Sequence, residues 1–436
     1  MKMRLYIRPM YYLYQLLRNT HMEQEKLEKL QLESLRKVIE NAYNNVPYYN
    51  SLFKKNDLRP GDIKSIQDLN KIPVLSKQDI RENLTEIISK GYNMHSLIEY
   101  ETSGSTGQPL PVYVNREEDD YRKAKHLRSN IIVGQRPRDK YICVTSPSHY
   151  GRVPTILQKI RVFSREFVSV FDDVETQLRR VEAYGPDILA GYSSSLYLLA
   201  QEAERTGSTS IRPKFLLGGA ELCDEPSVRY TEKVFHSPFI DQYAIVEVEK
   251  IAWQCSNHSE YHLDSDSVIV QFIDQDGKEV APGERGEIIC TSLFNHAMPF
   301  IRYNIGDIAI PSDEECECGI TFPTMKIIEG RKDSMLTLPG GLILSPRNFA
   351  ITVNHFDHIY EVDQWRVVQK KVDYFEIFLK LKEDSMEASK ITDLLKAHMH
   401  KMLNMSEDEI TFEVNVVEDM PKDRTGKLRA IVSLIN

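Results

Sequence analysis

The sequence predicts an α/β fold. A large N-terminal domain carries mixed, mostly parallel sheets and a β subdomain, and a small α+β domain follows at the C-terminus. Three observations support this. From Phe167 onward, short apolar runs alternate with amphipathic stretches, the rhythm of crossover units in a parallel sheet. From Glu260 to Ile310 the pattern turns to β, with Asp276-Gly277 as a hairpin signal. Past residue 330 three strands, a helix and a final strand stand apart as a smaller unit.

Taken in order, residues 1–18 are basic and aromatic, with Lys2, Arg4, Arg8, Tyr6, Tyr11, Tyr12 and Tyr14. They read as a helix docked on its own domain in preference to one lying on a membrane surface. Residues 22–44 place Leu27, Leu30, Leu35, Val38, Ile39 and Ala42 at helical spacing, and Asn45-Val46-Pro47 stops the helix. A short helix is expected at Tyr48–Lys54, and Ser76 with Asp79 has the form of a capping box. Arg116–Val133 reads as a helix and Tyr141–Thr145 as a strand. Alternation then predicts strands at 167–170, 187–190, 214–217 and near 239, with helices at 174–184, 194–205 and 225–235. Beyond 330, strands are expected near 335–338, 364–370, 374–381 and 410–417, with a helix near 386–402.

The chain has 436 residues, 41% of them hydrophobic, enough for more than one core. A formal charge of −9 argues against a nucleic-acid surface. Six cysteines are too few and scattered for a disulfide framework. No apolar run reaches the roughly 20 residues that span a bilayer, so a cytoplasmic protein is expected.

Several short motifs carry chemistry. Thr102-Ser103-Gly104-Ser105-Thr106-Gly107 lies between two apolar runs, and its glycines and hydroxyls could cradle phosphate oxygens. By itself it reads equally as a polar hairpin. Ligands of parallel sheets bind beyond the carboxyl ends of strands, which draws attention to Gly219-Ala220-Glu221 and to Gln242-Tyr243-Ala244-Ile245-Val246-Glu247. For Glu221 the plain alternative is a helix-capping turn. For Glu247 and nearby Glu249 it is a pair of solvated charges at a helix start. Asp307 follows Gly306 in Arg302-Tyr303-Asn304-Ile305-Gly306-Asp307. Gly330-Arg331-Lys332-Asp333 and the lysine of Pro421-Lys422-Asp423-Arg424-Thr425-Gly426-Lys427 complete the set. Separately, Cys255, His262, Cys316 and Cys318 make a full tetrahedral zinc complement, with buried free thiols as the alternative and His258 able to replace His262. Cys143, Cys223 and Cys290 read as core residues.

In this order the motifs resemble those of the adenylate-forming superfamily of acyl-CoA synthetases, above all its phenylacetate–CoA ligase-like branch. That branch includes the adenylating proteins of capsular polysaccharide gene clusters. The resemblance runs from Asn45 to the C-terminus. It implies that residues 102–107 hold the outer phosphates of ATP, although Gln108 stands where most members have lysine. It implies that Gly219, Ala220 and Glu221 border adenine, that Gln242 and Tyr243 belong to the nucleotide site, and that Glu247 binds Mg²⁺. Ala244 and Val246 replace the glycine and threonine of the usual motif. Asp307 would bind both ribose hydroxyls and Arg331 would touch the ribose. Asp333 would be the hinge between residues 1–329 and a reorienting domain, 330–436. Lys427 would be the catalytic lysine. Comparable Cys/His sets in the family support structural zinc.

The implied reaction is ATP-dependent activation of a small carboxylic acid through an acyl-adenylate, followed by transfer to a thiol, coenzyme A first among acceptors. An amine or a carrier protein's pantetheine is the alternative acceptor, and a degenerate nucleotide-binding scaffold is the second alternative. Segments 148–151 and 191–195 are candidate walls for the acid. Homodimerisation is left open.

Overall fold

The computed structural model describes residues 4–102, 110–147, 156–221, 225–257, 260–331, 335–344, 346–382, 385, 387–420 and 430–435. These form two compact units, one from residues 1–136 with 240–328 and the other from 137–239 with 329–436. Each unit is thus built from two separate stretches of chain.

The first unit opens with α1 (Arg4–Asn19), α2 (Gln24–Asn45), α3 (Pro47–Lys55) and α4 (Lys77–Glu82). Helix α1 is docked, as its sequence suggests. Leu13 and Leu16 are buried, Arg8 pairs with Asp120 at 2.7 Å, and the Tyr12 hydroxyl donates to Glu117 at 2.6 Å. In α2 the buried set is Leu27, Leu35, Val38, Ile39 and Ala42, the predicted stripe without Leu30. Ser76 and Asp79 form the expected capping box. Strands β1 (Ile98–Glu101) and β2 (Pro111–Val114) pair antiparallel and lead into α5 (Arg116–Ile132), whose N-terminus is closed by Asn115 and Glu118.

The second unit begins with β3 (Tyr141–Thr145), α6 (Ile156–Lys159), β4 (Arg165–Ser169), α7 (Val174–Tyr184), β5 (Ile188–Gly191), α8 (Ser193–Thr206), β6 (Phe215–Gly219) and α9 (Glu225–Phe235). Four strands run parallel in the order β6-β5-β3-β4, and Leu178, Val181, Leu196, Leu199 and Phe235 pack in the adjoining core. Gly185 and Gly207 end α7 and α8 in left-handed backbone, the conformation glycine adopts at least cost.

The chain then returns to the first unit with β7 (Phe239–Ile245), β8 (Glu249–Gln254), β9 (Tyr261–Leu263), β10 (Val268–Ile273), β11 (Gly286–Ser292), β12 (Tyr303–Ser312) and β13 (Thr324–Arg331). Their order is β10-β11-β12-β13-β9-β8-β7, and every pair with an assigned register is antiparallel. Among these strands and β3 to β6, every parallel pair with an assigned register lies within residues 137–239. The second unit ends with β14 (Leu336–Thr337), β15 (Ile343–Leu344), α10 (Pro346–Asn354), β16 (Val362–Lys371), β17 (Tyr374–Leu381), α11 (Ala388–Leu403), β18 (Thr411–Val416) and β19 (Ile431–Ser433). Here β18-β17-β16-β19 form one sheet over a core of Phe349, Phe375, Ile377, Ile391, Leu395 and Phe412. Among the described residues no helix is long and apolar enough to cross a membrane.

Helix α5 departs from ordinary amphipathic design. Arg122, Lys125 and Arg128 are 5%, 0% and 0% exposed, so its charges point inward. Arg128 binds both Asp264 and Asp266 and lies 5.2 Å from the Trp253 ring, while Lys125 reaches Asp264 at 3.0 Å. Removing one partner of a buried pair leaves an uncompensated charge. Arg128→Ala is expected to cost about 3–5 kcal/mol, read from the midpoint and slope of urea denaturation.

Candidate functional site

The loop 102–107 has the expected frame. Strands β1 and β2 pair up to Glu101 and Pro111, and beyond them Thr102 and Leu110 close the base. The Thr102 amide donates to Leu110 O at 3.0 Å, and Thr102 Oγ1 accepts from the Leu110 amide at 2.9 Å. The Thr102 hydroxyl therefore shapes the loop's entrance. Ser103, Gly104, Ser105, Thr106, Gly107 and Gln108 lie outside the described residues.

Glu247 sits on a hairpin, not at a helix start. Ile245 pairs with Glu249, so Val246, Glu247 and Val248 make a three-residue turn, closed by Glu249 at φ 64°. Such turns place a left-handed residue last, usually glycine. Here His126 Nδ1 lies 3.0 Å from Glu249 Oε1 and Arg122 Nη2 lies 3.7 Å from its Oε2. The hydrogen bond to His126 and the charge of Arg122 hold the Glu249 carboxyl well below the usual carboxylate range against the opposing effect of burial. Glu249 is thereby committed to closing the turn. Glu247 itself is 4% exposed. The Tyr303 hydroxyl donates to its Oε1 at 2.7 Å, and Asn295 Nδ2 donates to its carbonyl at 3.1 Å. An oriented carboxylate of this kind is a hard oxygen donor suited to Mg²⁺.

Strand β12 supplies the partner for Glu247 and a second predicted residue. Between Ile289↔Asn304 and Glu287↔Ile308 it carries extra residues, a bulge with Gly306 at φ 82° that re-aims Asp307. Tyr243, on β7, donates to Asp307 Oδ2 at 2.5 Å. The structure thus joins Tyr243 to Asp307 and Glu247 to Tyr303 across one hairpin and one strand. Gln242 does not share that face. Its side chain is buried between Lys250 at 2.7 Å and Asn130 at 3.0 Å. The Arg302 guanidinium is likewise spent within the fold, on the carbonyls of Asn70 and Ile72.

In the second unit, Gly219-Ala220-Glu221 follows the carboxyl end of β6. Ala220 has φ 65°, and Glu221 Oε2 accepts from the Ser194 amide at 3.0 Å. The side chain therefore caps α8, the plainer of the two readings from sequence, and the backbone of 219–220 is left as the part able to line a ligand. At the end of β5, the Tyr192 hydroxyl bonds to Thr145 and Ser146. The Arg331 side chain, Lys332, Asp333, residues 148–151, Cys223, His258 and Lys427 lie outside the described residues.

The four predicted zinc ligands converge. Their donor atoms all lie within 4.8 Å of one another, with Cys255 Sγ to Cys316 Sγ at 3.6 Å and Cys318 Sγ to His262 Nε2 at 3.3 Å. A tetrahedral ion with bonds of about 2.0–2.3 Å needs edges of roughly 3.3–3.8 Å. His262 Nδ1 faces Phe322 O at 3.4 Å, which leaves Nε2 for a metal. The amides of Asn257 and Ile320, each two residues past a cysteine, donate to Cys255 Sγ and Cys318 Sγ at 3.4 Å. Burial pushes the Cys318 thiol up to about 12, so without a cation it stays protonated. Met22, Leu27, Trp253 and Phe322 wall the cluster.

Along 408 residues the chain is 26% identical to phenylacetate-coenzyme A ligase of Escherichia coli (strain K12), covering 88% of this chain and 90% of that one. Its similarity is thus to the phenylacetate–CoA ligase-like branch of the adenylate-forming proteins. Protein CapK of Staphylococcus aureus is 23% identical over 416 residues, 90% of this chain and 86% of that one. Among solved structures, 2-hydroxyisobutyryl-CoA ligase in the postadenylation state superposes with a TM-score of 0.79 at 19% identity, over 95% of this chain and 91% of that one. That likeness establishes the fold of the adenylate-forming ligases. No family model matches the chain.

Sequence reasoning passed over Tyr303, although it lies inside a quoted motif, because nothing local says its hydroxyl reaches a carboxylate 56 residues away. Gly218 has a clearer rationale. A Cβ there would stand 2.1 Å from Phe239 Cζ and 3.1 Å from Ser193 Oγ. Gly218→Ala is expected to cost about 1–3 kcal/mol by overpacking, seen as a lowered thermal midpoint.

Proposed function

We propose that this chain activates a small carboxylic acid with ATP and passes the acyl group to a thiol, with coenzyme A as the acceptor. The observation that carries the reading is the joint placement of Glu247–Tyr303 and Tyr243–Asp307, in a chain whose relatives include phenylacetate–CoA ligases.

In the first step a carboxylate oxygen of the acid attacks the α-phosphorus, the bond to the β-phosphate oxygen breaks, and pyrophosphate leaves. Glu247, oriented by Tyr303, would hold Mg²⁺, which supplies charge neutralisation for the phosphates when bound. Tyr243 would face the base and Asp307, an acceptor-only carboxylate, would take the ribose hydroxyls. Residues 102–107 would receive the outer phosphates, the 219–220 backbone would border adenine, and Arg331 would touch the ribose. Lys427 would lie against the reacting phosphate. In the second step a thiolate attacks the acyl carbon and AMP leaves, after residues 330–436 turn about Asp333. A cytoplasmic location suits a reaction that draws on ATP and coenzyme A. The Cys255–His262–Cys316–Cys318 set would hold zinc in a closed structural role, since all four positions are protein ligands.

Pyrophosphate exchange into ATP, run across a panel of carboxylic acids, tests the chemistry. Exchange should appear with at least one acid and fall about 10²–10³-fold in Lys427→Ala. Absence of exchange with every acid would leave a nucleotide-binding scaffold. Exchange without thioester formation would point to an amine or carrier acceptor. Elemental analysis should find one zinc per chain, lost in Cys318→Ser together with a fall in thermal midpoint. Zinc-free protein with an unchanged midpoint would remove the structural role.

A further inference from the structure

Arg122 lies on α5, 5% exposed, with no substrate role implied by any motif. Its guanidinium spans two predicted parts of the nucleotide site. On one side, Nη2 donates to Val246 O at 2.7 Å and Nη1 approaches Glu247 O at 3.5 Å, while Nη2 also lies 3.7 Å from Glu249. These contacts hold the first two residues of the carboxylate turn and the left-handed residue that closes it. On the other side, the guanidinium carbon sits 4.9 Å from the centre of the Tyr100 ring. Tyr100 is on β1, two residues before Thr102, and its hydroxyl donates to Asp119 Oδ1 at 2.6 Å. Asp119 is itself on α5, one turn before Lys123, which pairs with it.

We propose that Arg122 is a positioning residue that holds the Glu247 turn and the strand leading to the 102–107 loop in one geometry for a divalent cation–ATP complex. The proposal rests on the reading of the nucleotide site given above. Arginine suits the task because its planar fork can serve two carbonyls and one ring face together, which an ammonium cannot. It does not touch the substrate. It acts by fixing the distance between a metal-binding carboxylate and the loop that receives the phosphates, and a misplacement of about 1 Å can cost 10²-fold.

The test uses Mn²⁺ as a paramagnetic probe and needs no acid. Electron paramagnetic resonance titration of Mn²⁺ with ATP gives the affinity of the complex for each variant, and urea unfolding gives its stability. Arg122→Ala should weaken binding about 10–100-fold, the range found for groups that orient a metal ligand. Arg122→Lys keeps the charge over Tyr100 but not the fork, and should fall between. Should Arg122→Ala not fold, Arg122→Lys and Tyr100→Leu carry the comparison. Affinity within about twofold of wild type in the folded variants, with only stability lowered, overturns the positioning role. Wild-type protein that binds Mn²⁺–ATP but exchanges pyrophosphate with no acid overturns the proposed reaction and leaves this comparison intact. Wild-type protein without affinity for Mn²⁺–ATP overturns both.

Discussion

Much of the first unit depends on a helix that turns its cations inward. Arg122, Lys125 and Arg128 recur every three residues along α5, on one side of the helix. Each ends on buried or half-buried acceptors: the carbonyls of Val246 and Val248, and the carboxylates of Asp264 and Asp266. Desolvating two charges is repaid only by close geometry and full hydrogen bonding. The arrangement therefore tolerates little sliding. A shift of α5 by one residue would strand three cations and two carboxylates at once. That intolerance fixes where the turn at 246–248 and the 264–266 corner lie relative to each other.

The same helix explains why the site was only partly legible in the sequence. Local signals were read well. The capping box at Ser76 and the apolar stripe of α2 each operate within a few residues, and each is present. The pattern singled out Tyr243 and Asp307, which the structure joins, and Cys255, His262, Cys316 and Cys318, whose donor atoms converge. What stayed hidden depends on distant partners. A charged helix gives no sign of which face is buried, so nothing in the sequence singled out Arg122. Glu247 suggested a helix start because no glycine announced the turn; the left-handed position falls to Glu249, held by two cations from α5. Glu221 offered a ligand contact and a helix cap from one sequence, and its side chain took the cap. Three C-terminal elements, β15, α10 and β19, were missed because they are short and owe their form to packing against neighbours.

Two kinds of order meet in the first unit. Glu247 is held by the Tyr303 hydroxyl on its carboxylate and by Asn295 and Arg122 on its backbone carbonyl. Around the Cys/His cluster, backbone amides and apolar walls hold four soft donors at metal-bonding separations. The first leaves a carboxylate able to meet a ligand. The second closes on itself, with every ligand supplied by the protein.

The cluster's surroundings also tie the two ends of the unit together. His21 Nδ1 meets Gly319 O at 2.8 Å, the Thr321 amide donates to Thr20 O at 3.0 Å, and Thr321 Oγ1 donates to Met22 O at 2.6 Å. These contacts bridge about 300 residues of chain, and the whole of 137–239 belongs to the other unit. During synthesis the corner between α1 and α2 must wait for residue 321 to emerge, on the order of 15–60 s at ordinary elongation rates. Through that interval Met22 and Leu27 lack the wall they pack against in the finished fold. The corner at residues 20–22 thus waits for partners made about 300 residues later, and the nascent chain carries an exposed apolar corner over that span.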